Sequence, residues 1–281
     1  MRIKILFLVG FFTLQLSALD SAGVQHYLKK YMEMKMHSPV EKIETISTYP
    51  VEGTNGWDVY FLSLEVNIKM GKVTRKRTVP QVVFTKGNKI AFSLKNSENK
   101  DYKTFLKPKV PVEAYNDEHL LVGNKDAKHK LLVISDPFCP YCQEIVPVII
   151  DQVKKHPKTF ALYYYHLPLL RIHPASGVTS RAMYLFQKRG EIEKLKSLYH
   201  LVLDPKERNE QRILKAIKDK TGVAFTSRDI NSQEIREAIR FDLAMKKRLM
   251  VTGTPTIFID GLWDPTRMAY KEYLPHKQIK K

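Results

Sequence analysis

Apolar and polar residues alternate along one long stretch near the start of the chain. Tyr60, Leu62, Leu64, Val66, Ile68 and Met70 alternate with Phe61, Ser63, Glu65, Asn67 and Lys69. A period of two predicts a long strand with one buried face. Asn55-Gly56 before it is a turn signal, Gly71 ends it, and Val73 to Phe84 reads as the returning strand. Pro80 places an edge or a bulge in that strand, because proline cannot donate to a ladder. After a further turn around Gly87, Ile90, Phe92 and Leu94 alternate in another strand. Upstream, Val24, Tyr27, Leu28 and Tyr31 fall at helical spacing. Residues 19–97 therefore read as a small α+β unit, a helix beside an antiparallel meander. So small a sheet buries little surface alone. It either pairs with a second copy or packs on its neighbour, and periodicity leaves both open.

The pattern weakens from Lys95 to Lys130, where Pro108, Pro111 and a polar run around Asn124 to Lys130 interrupt it, and 98–125 is the segment between the domains. This segment reads as a linker with a short helix near Tyr102 to Leu106, and its prolines stiffen it. A second domain, 126–281, begins with the apolar run Leu131 to Ile134, the mark of a buried strand. Ile145, Val146, Ile149, Ile150 and Val153 then fit a helix, and Thr159 to Leu169 a second strand. Residues 174–250 are helical in pattern, and Thr256 to Ile259 forms a late strand before the Asp260-Gly261 turn. Strand, helix, strand, inserted helices, strand is an α/β order with at least one βαβ unit.

Residues 1–18 have the form of a secretory signal. Arg2 and Lys4 precede an apolar run from Ile5 to Leu16, and Ser17 and Ala18 supply small residues for cleavage. The run is shorter than the ~20 apolar residues that span a bilayer. Export places the chain where disulfides persist. The formal net charge is +18, but the lysines are scattered and no aromatic-interleaved basic patch appears, so no nucleic-acid partner is expected.

The chain has two cysteines, Cys139 and Cys142, three positions apart in "SDPFCPYCQ". A bridge between them closes too small a loop to brace a fold. Metal binding and thiol–disulfide exchange remain. A structural zinc site needs four ligands, usually from two Cys or Cys/His pairs, and there is no second cysteine pair. His166 and His173 are the histidines nearest the motif, and their spacing is not a ligand signature. No metal and no cofactor is therefore expected. A C-x-x-C pair between a strand and a helix fits exchange chemistry. Cys139 would sit at the helix N-terminus, where unpaired N–H groups favour its thiolate. Cys142 lies one turn on, close enough to bridge it. Pro140 occupies a first helical position that proline tolerates.

The strand followed by "FCPYC", Pro147 five residues past Cys142, and "TGTPT" before a late strand resemble the thioredoxin superfamily. With the export signal, the N-terminal α+β unit, the linker and the helical insertion, the chain is similar to the dimeric DsbC/DsbG class of periplasmic disulfide-handling proteins. The Pro140-Tyr141 dipeptide matches the DsbG pattern. The resemblance implies a thioredoxin-like domain with a helical insertion at about 174–250, preceded by a cystatin-like dimerisation domain. It implies that Cys139 attacks, that Cys142 resolves, and that Thr254 and a cis Pro255 hold an extended substrate strand.

The resemblance further implies a periplasmic isomerase or reductase that acts on exported proteins as a homodimer and is kept reduced by a DsbD-like membrane donor. An oxidase on the same fold, kept oxidised by a DsbB-like membrane partner, stays open, since fold does not set redox role. A chaperone-like binding module is a third reading.

Overall fold

A computed structural model describes residues 19–36, 39–70 and 73–275. Residues 1–18, read as a signal, lie outside the described residues. The chain divides into two compact units, Met1–Thr104 and Phe105–Lys281.

In the first unit, α1 (Ser21–Met36) packs on a sheet of β1 (Val40–Pro50), β2 (Asp58–Met70), β3 (Val73–Lys86) and β4 (Lys89–Ala91), antiparallel in the order β1-β2-β3-β4. The alternation in β2 does what a period of two requires. Tyr60, Leu62, Leu64 and Val66 face Val24 and Leu28 of the helix, and all six are buried. Phe61 is buried on the opposite face beside Tyr49. Pro80 pairs with Ser63 of β2, and β4 reaches only Phe84 to Lys86, so Pro80 lies on the edge-like part of β3.

Three readings of this region change. Strand β1 is additional; its residues are mostly exposed or half-buried, so they present no strict alternation to read. The strand expected over Ile90 to Leu94 is shorter, Lys89–Ala91. The helix expected near 102–106 is one 3-10 turn, Tyr102–Thr104, following a bridge between Lys95 and Asp101.

The second unit also starts earlier than its pattern indicated. Residues 105–125 were expected within a linker, yet Val110 and Ala114 are buried in the core of this unit, and the Val110 N–H donates to the Gly261 carbonyl at 2.9 Å. β5 (Leu120–Gly123) is an edge strand of its sheet. Isolated apolar residues among prolines and charges carry no period, which hides such a segment.

The sheet has the order β5-β7-β6-β8-β9, with β6 (His129–Ser135), β7 (Phe160–His166), β8 (Thr256–Ile259) and β9 (Leu262–Asp264). β6 and β7 are parallel and joined by α2 (Pro140–Lys155), a βαβ unit; β8 returns antiparallel to β6. β6 is covered on both sides. Leu131 and Val133 join a core with Ile149, Ile150 and Val153 of α2, whereas Leu132 and Ile134 join a core with Met245 and Leu249. A strand buried on both faces reads as an unbroken apolar run, as Leu131 to Ile134 does.

The helical stretch comprises α3 (Ser176–Lys188), α4 (Ile192–Ser197), α5 (Glu210–Thr221), α6 (Ser227–Ile230) and α7 (Gln233–Arg248). It is fastened to the sheet by a buried polar cluster. Asp242 on α7 meets His119 Nε2 at 2.7 Å and accepts the His166 N–H at 2.8 Å. His166 Nε2 in turn meets Gln187 on α3 at 3.2 Å. No helix among the described residues is long and apolar enough to cross a membrane.

Gly123 closes β5 at φ +95°, and a Cβ there would meet the Phe160 carbonyl oxygen at 2.2 Å and Val153 Cγ1 at 2.9 Å. Gly123→Ala therefore combines left-handed strain with a backbone clash. We expect a loss of about 3 kcal/mol or more, read by urea denaturation; a change below about 1 kcal/mol would contradict this account of β5.

Candidate active site

The site forms where β6 hands over to α2. A helix that starts immediately after a buried strand needs its first turn fixed, and here a carboxylate does it. Asp136 is fully buried; its Oδ1 accepts the Phe138 N–H at 2.8 Å and its Oδ2 accepts the Leu169 N–H at 2.7 Å. His173 Nδ1 approaches Oδ1 at 3.1 Å. One side chain thus sets the turn before the cysteines and pins the loop that follows β7. His173, an unassigned histidine in the sequence, is placed by this contact.

Cys139 is the N-cap residue of α2, with extended backbone at φ −72° and ψ 121°, and Pro140 opens the helix at its first turn. Pro147 lies inside the same helix. Cys142, one turn along, is completely buried, whereas Cys139 retains 7% exposure. The two cysteines are unbridged thiols. Tyr141 points outward and is 60% exposed.

The Thr254–Pro255 peptide is cis and stands against the cysteines across the fold. The Cys139 thiol donates to the Thr254 carbonyl oxygen at 3.3 Å, joining positions 115 residues apart. The Thr254 hydroxyl is buried without a hydrogen-bond partner among the described residues. Arg267 clamps the turn, since its Nε donates to the Pro255 carbonyl at 3.1 Å while its guanidinium lies over the Tyr141 ring at 5.6 Å. The six residues singled out in the sequence, Cys139, Pro140, Tyr141, Cys142, Thr254 and Pro255, thus occupy one locus. Asp136 and Arg267 were not among them. Asp136 lies three residues before Cys139 in the same motif, a position that marks it. Arg267 carries no sequence signal among so many basic residues.

The two sulfurs have opposite acidities. The Cys142 thiol donates to the Cys139 sulfur and holds the Cys139 pKa down at about 5, against burial, which acts the other way. The Thr254 side chain and the backbone N–H groups of Cys142 and Tyr141 lower the Cys139 pKa further. Cys142 moves upward, because burial disfavours its charge and its proton is engaged by Cys139. One negative charge is shared by the pair and rests on the outer sulfur. Such a pair can attack a disulfide through one sulfur and close on itself through the other. Among the described residues, no three His, Cys, Asp or Glu side chains are grouped to hold a metal.

Thiolate absorbance of the reduced protein should titrate with a midpoint near pH 5 for Cys139, far from the ordinary 9.0. A depressed pKa contributes stability to the reduced folded protein that is complete above pH 9, declines as pH falls, and is gone below the folded value. A midpoint above about 8 would contradict the charge sharing. Thr254→Val should raise the midpoint by removing the Thr254 side chain's lowering influence.

The family model for thioredoxin matches residues 115–273, more than half of the chain. No curated protein matches. Among solved structures, a thioredoxin-like oxidoreductase from Silicibacter pomeroyi is 20% identical, with a TM-score of 0.48 over 58% of this chain and 95% of that one. A periplasmic thioredoxin-like protein from Salmonella enterica serovar Typhimurium is 22% identical, with a TM-score of 0.46 over 57% of this chain and 90% of that one. The catalytic domain of Proteus mirabilis ScsC is also 22% identical, with a TM-score of 0.46 over 57% of this chain and 87% of that one. Because the family match takes in both the helix that carries the two cysteines and the Thr254–Pro255 turn, the chain belongs to the thioredoxin family.

Proposed function

We propose that the protein is a periplasmic isomerase or reductase of disulfides in exported proteins. The observation that carries this reading is the split in acidity between Cys139 and Cys142. The Cys139 thiolate attacks one sulfur of a substrate disulfide, and the other sulfur leaves and takes up a proton. A mixed disulfide joins Cys139 to the substrate. Because Cys142 is held as a thiol, this intermediate lasts long enough for a second substrate thiol to attack it, which completes an isomerisation. Where none does, Cys142 attacks instead. The substrate is then released reduced and the cysteine pair is oxidised, to be reduced again by a DsbD-like membrane donor.

Thr254 and Pro255 hold the substrate in this scheme. The Thr254 carbonyl accepts from Cys139 only while that sulfur is protonated; with Cys139 a thiolate or a mixed disulfide it is free to accept from an extended substrate backbone. The first unit, a four-stranded sheet under one helix, serves as a dimerisation domain that brings two sites together. Residues 1–18 direct export and are removed.

A second reading has its own support. A strongly depressed Cys139 pKa stabilises the reduced pair and makes the disulfide more oxidising. On that reading the protein is an oxidase fed by a DsbB-like partner.

Cys139→Ser should abolish insulin reduction, and Cys142→Ser should accumulate mixed disulfides with exported proteins on non-reducing gels. Normal turnover of the Cys139→Ser protein, or an absence of adducts with Cys142→Ser, would refute the assignment of the two roles.

A further inference from the structure

Behind the buried cysteine lies a run of hydroxyl groups that the scheme above does not use. Ser135, the last residue of β6, has its Oγ 2.7 Å from Tyr199 Oη, and Tyr199 Oη is 2.6 Å from Tyr164 Oη. Ser135, Tyr199, Tyr164 and Cys142 are all fully buried. The Ser135 hydroxyl is within hydrogen-bonding reach of the Cys142 sulfur, as is the Asp136 backbone. The Asp136 carboxylate is committed to Phe138, Leu169 and His173. The titratable groups that bear on the run are thus Cys139, Cys142 and Asp136.

This arrangement answers a need of the resolving step. While Cys139 is a thiolate, Cys142 rests its proton on it. Once Cys139 is tied to a substrate, that acceptor is gone, and Cys142 must become negative inside the core to attack. A buried charge without donors is costly. A hydroxyl both donates and accepts, so a run of three can turn together, Tyr164 donating to Tyr199, Tyr199 to Ser135, and Ser135 to sulfur.

We propose that Ser135 is a catalytic residue of the resolving step, donating a hydrogen bond to Cys142 as it becomes a thiolate, and that Tyr199 and Tyr164 are positioning residues that orient that hydroxyl. In the step, the Cys142 S–H bond and the Cys139–substrate S–S bond break, and a Cys139–Cys142 bond forms. The departing substrate sulfur takes the electron pair of its broken bond and ends with the proton that Cys142 gave up. The hydroxyl run carries no net proton; it turns and turns back. The proposal rests on the reading of Cys142 as the resolving sulfur.

The test uses the full reduced chain and excess oxidised glutathione, with acid quenching and mass measurement of the Cys139–glutathione adduct. Adduct formation and adduct resolution give two rates. Ser135→Ala and Tyr199→Phe should form the adduct within about twofold of the parent rate. Resolution should slow by about tenfold or more in Ser135→Ala, the loss of one hydrogen bond to a charged atom. It should slow in Tyr199→Phe as well, and return toward the parent rate in Ser135→Thr. Should Ser135→Ala fail to fold, Tyr199→Phe, which keeps its ring, carries the test. An unchanged resolution rate, or equal slowing of both steps, overturns the proposal while Cys142→Ser still traps the adduct. Failure of Cys142→Ser to trap it overturns the resolving role itself, and the proposal with it.

Discussion

A thiolate in a protein interior exists only where donors surround it, and the second unit is arranged about that constraint. At the start of α2 the negative charge of the cysteine pair is placed on Cys139, and its first donor is the thiol of Cys142. The rest of the site follows from keeping those two sulfurs in register. Asp136 fixes the turn that presents Cys139 at the helix end, where free N–H groups converge. The cis turn at Thr254–Pro255 stands on the other side, and Arg267 ties that turn to Tyr141. Remove the Cys142 proton from this arrangement and Cys139 loses the largest influence that lowers its pKa.

Holding such a site demands a rigid base. β6 supplies it by being covered on both faces, between α2 on one side and the C-terminal end of α7 on the other. The inserted helices do more than decorate. Through Asp242, His119, His166 and Gln187 they fasten to the sheet beside the end of β7. The 3-10 turn Leu198–His200, between α4 and α5, brings the Tyr199 hydroxyl to Ser135 at the end of β6. A segment that resembles an insertion in sequence therefore reaches the chemistry in space.

What the sequence carried of this was uneven, for physical reasons. The cysteine pair was legible because a C-x-x-C motif between an apolar run and a helical pattern has few other uses. The β2 strand was legible because apolar residues fill one buried face, while polar, half-buried Ser63, Glu65 and Asn67 follow Phe61 on the other. β1 and β5 were not, because an exposed edge strand and a four-residue strand leave no period to detect. Within the site, Asp136 sat in the quoted motif but showed its purpose only through Leu169 and His173, which are joined to it by folding. Tyr199 and Arg267 act through contacts 64 and 12 residues away along the chain, and nothing local distinguishes them from neighbouring tyrosines and arginines.

The redox state of the Cys139–Cys142 pair in living cells tests the central reading most directly. Acid quenching followed by thiol alkylation separates the two forms on a gel. An isomerase or reductase must be kept reduced to present the Cys139 thiolate, so the account predicts a pair that is mostly reduced. A pair found mostly oxidised would contradict it and assign the protein to the introduction of disulfides.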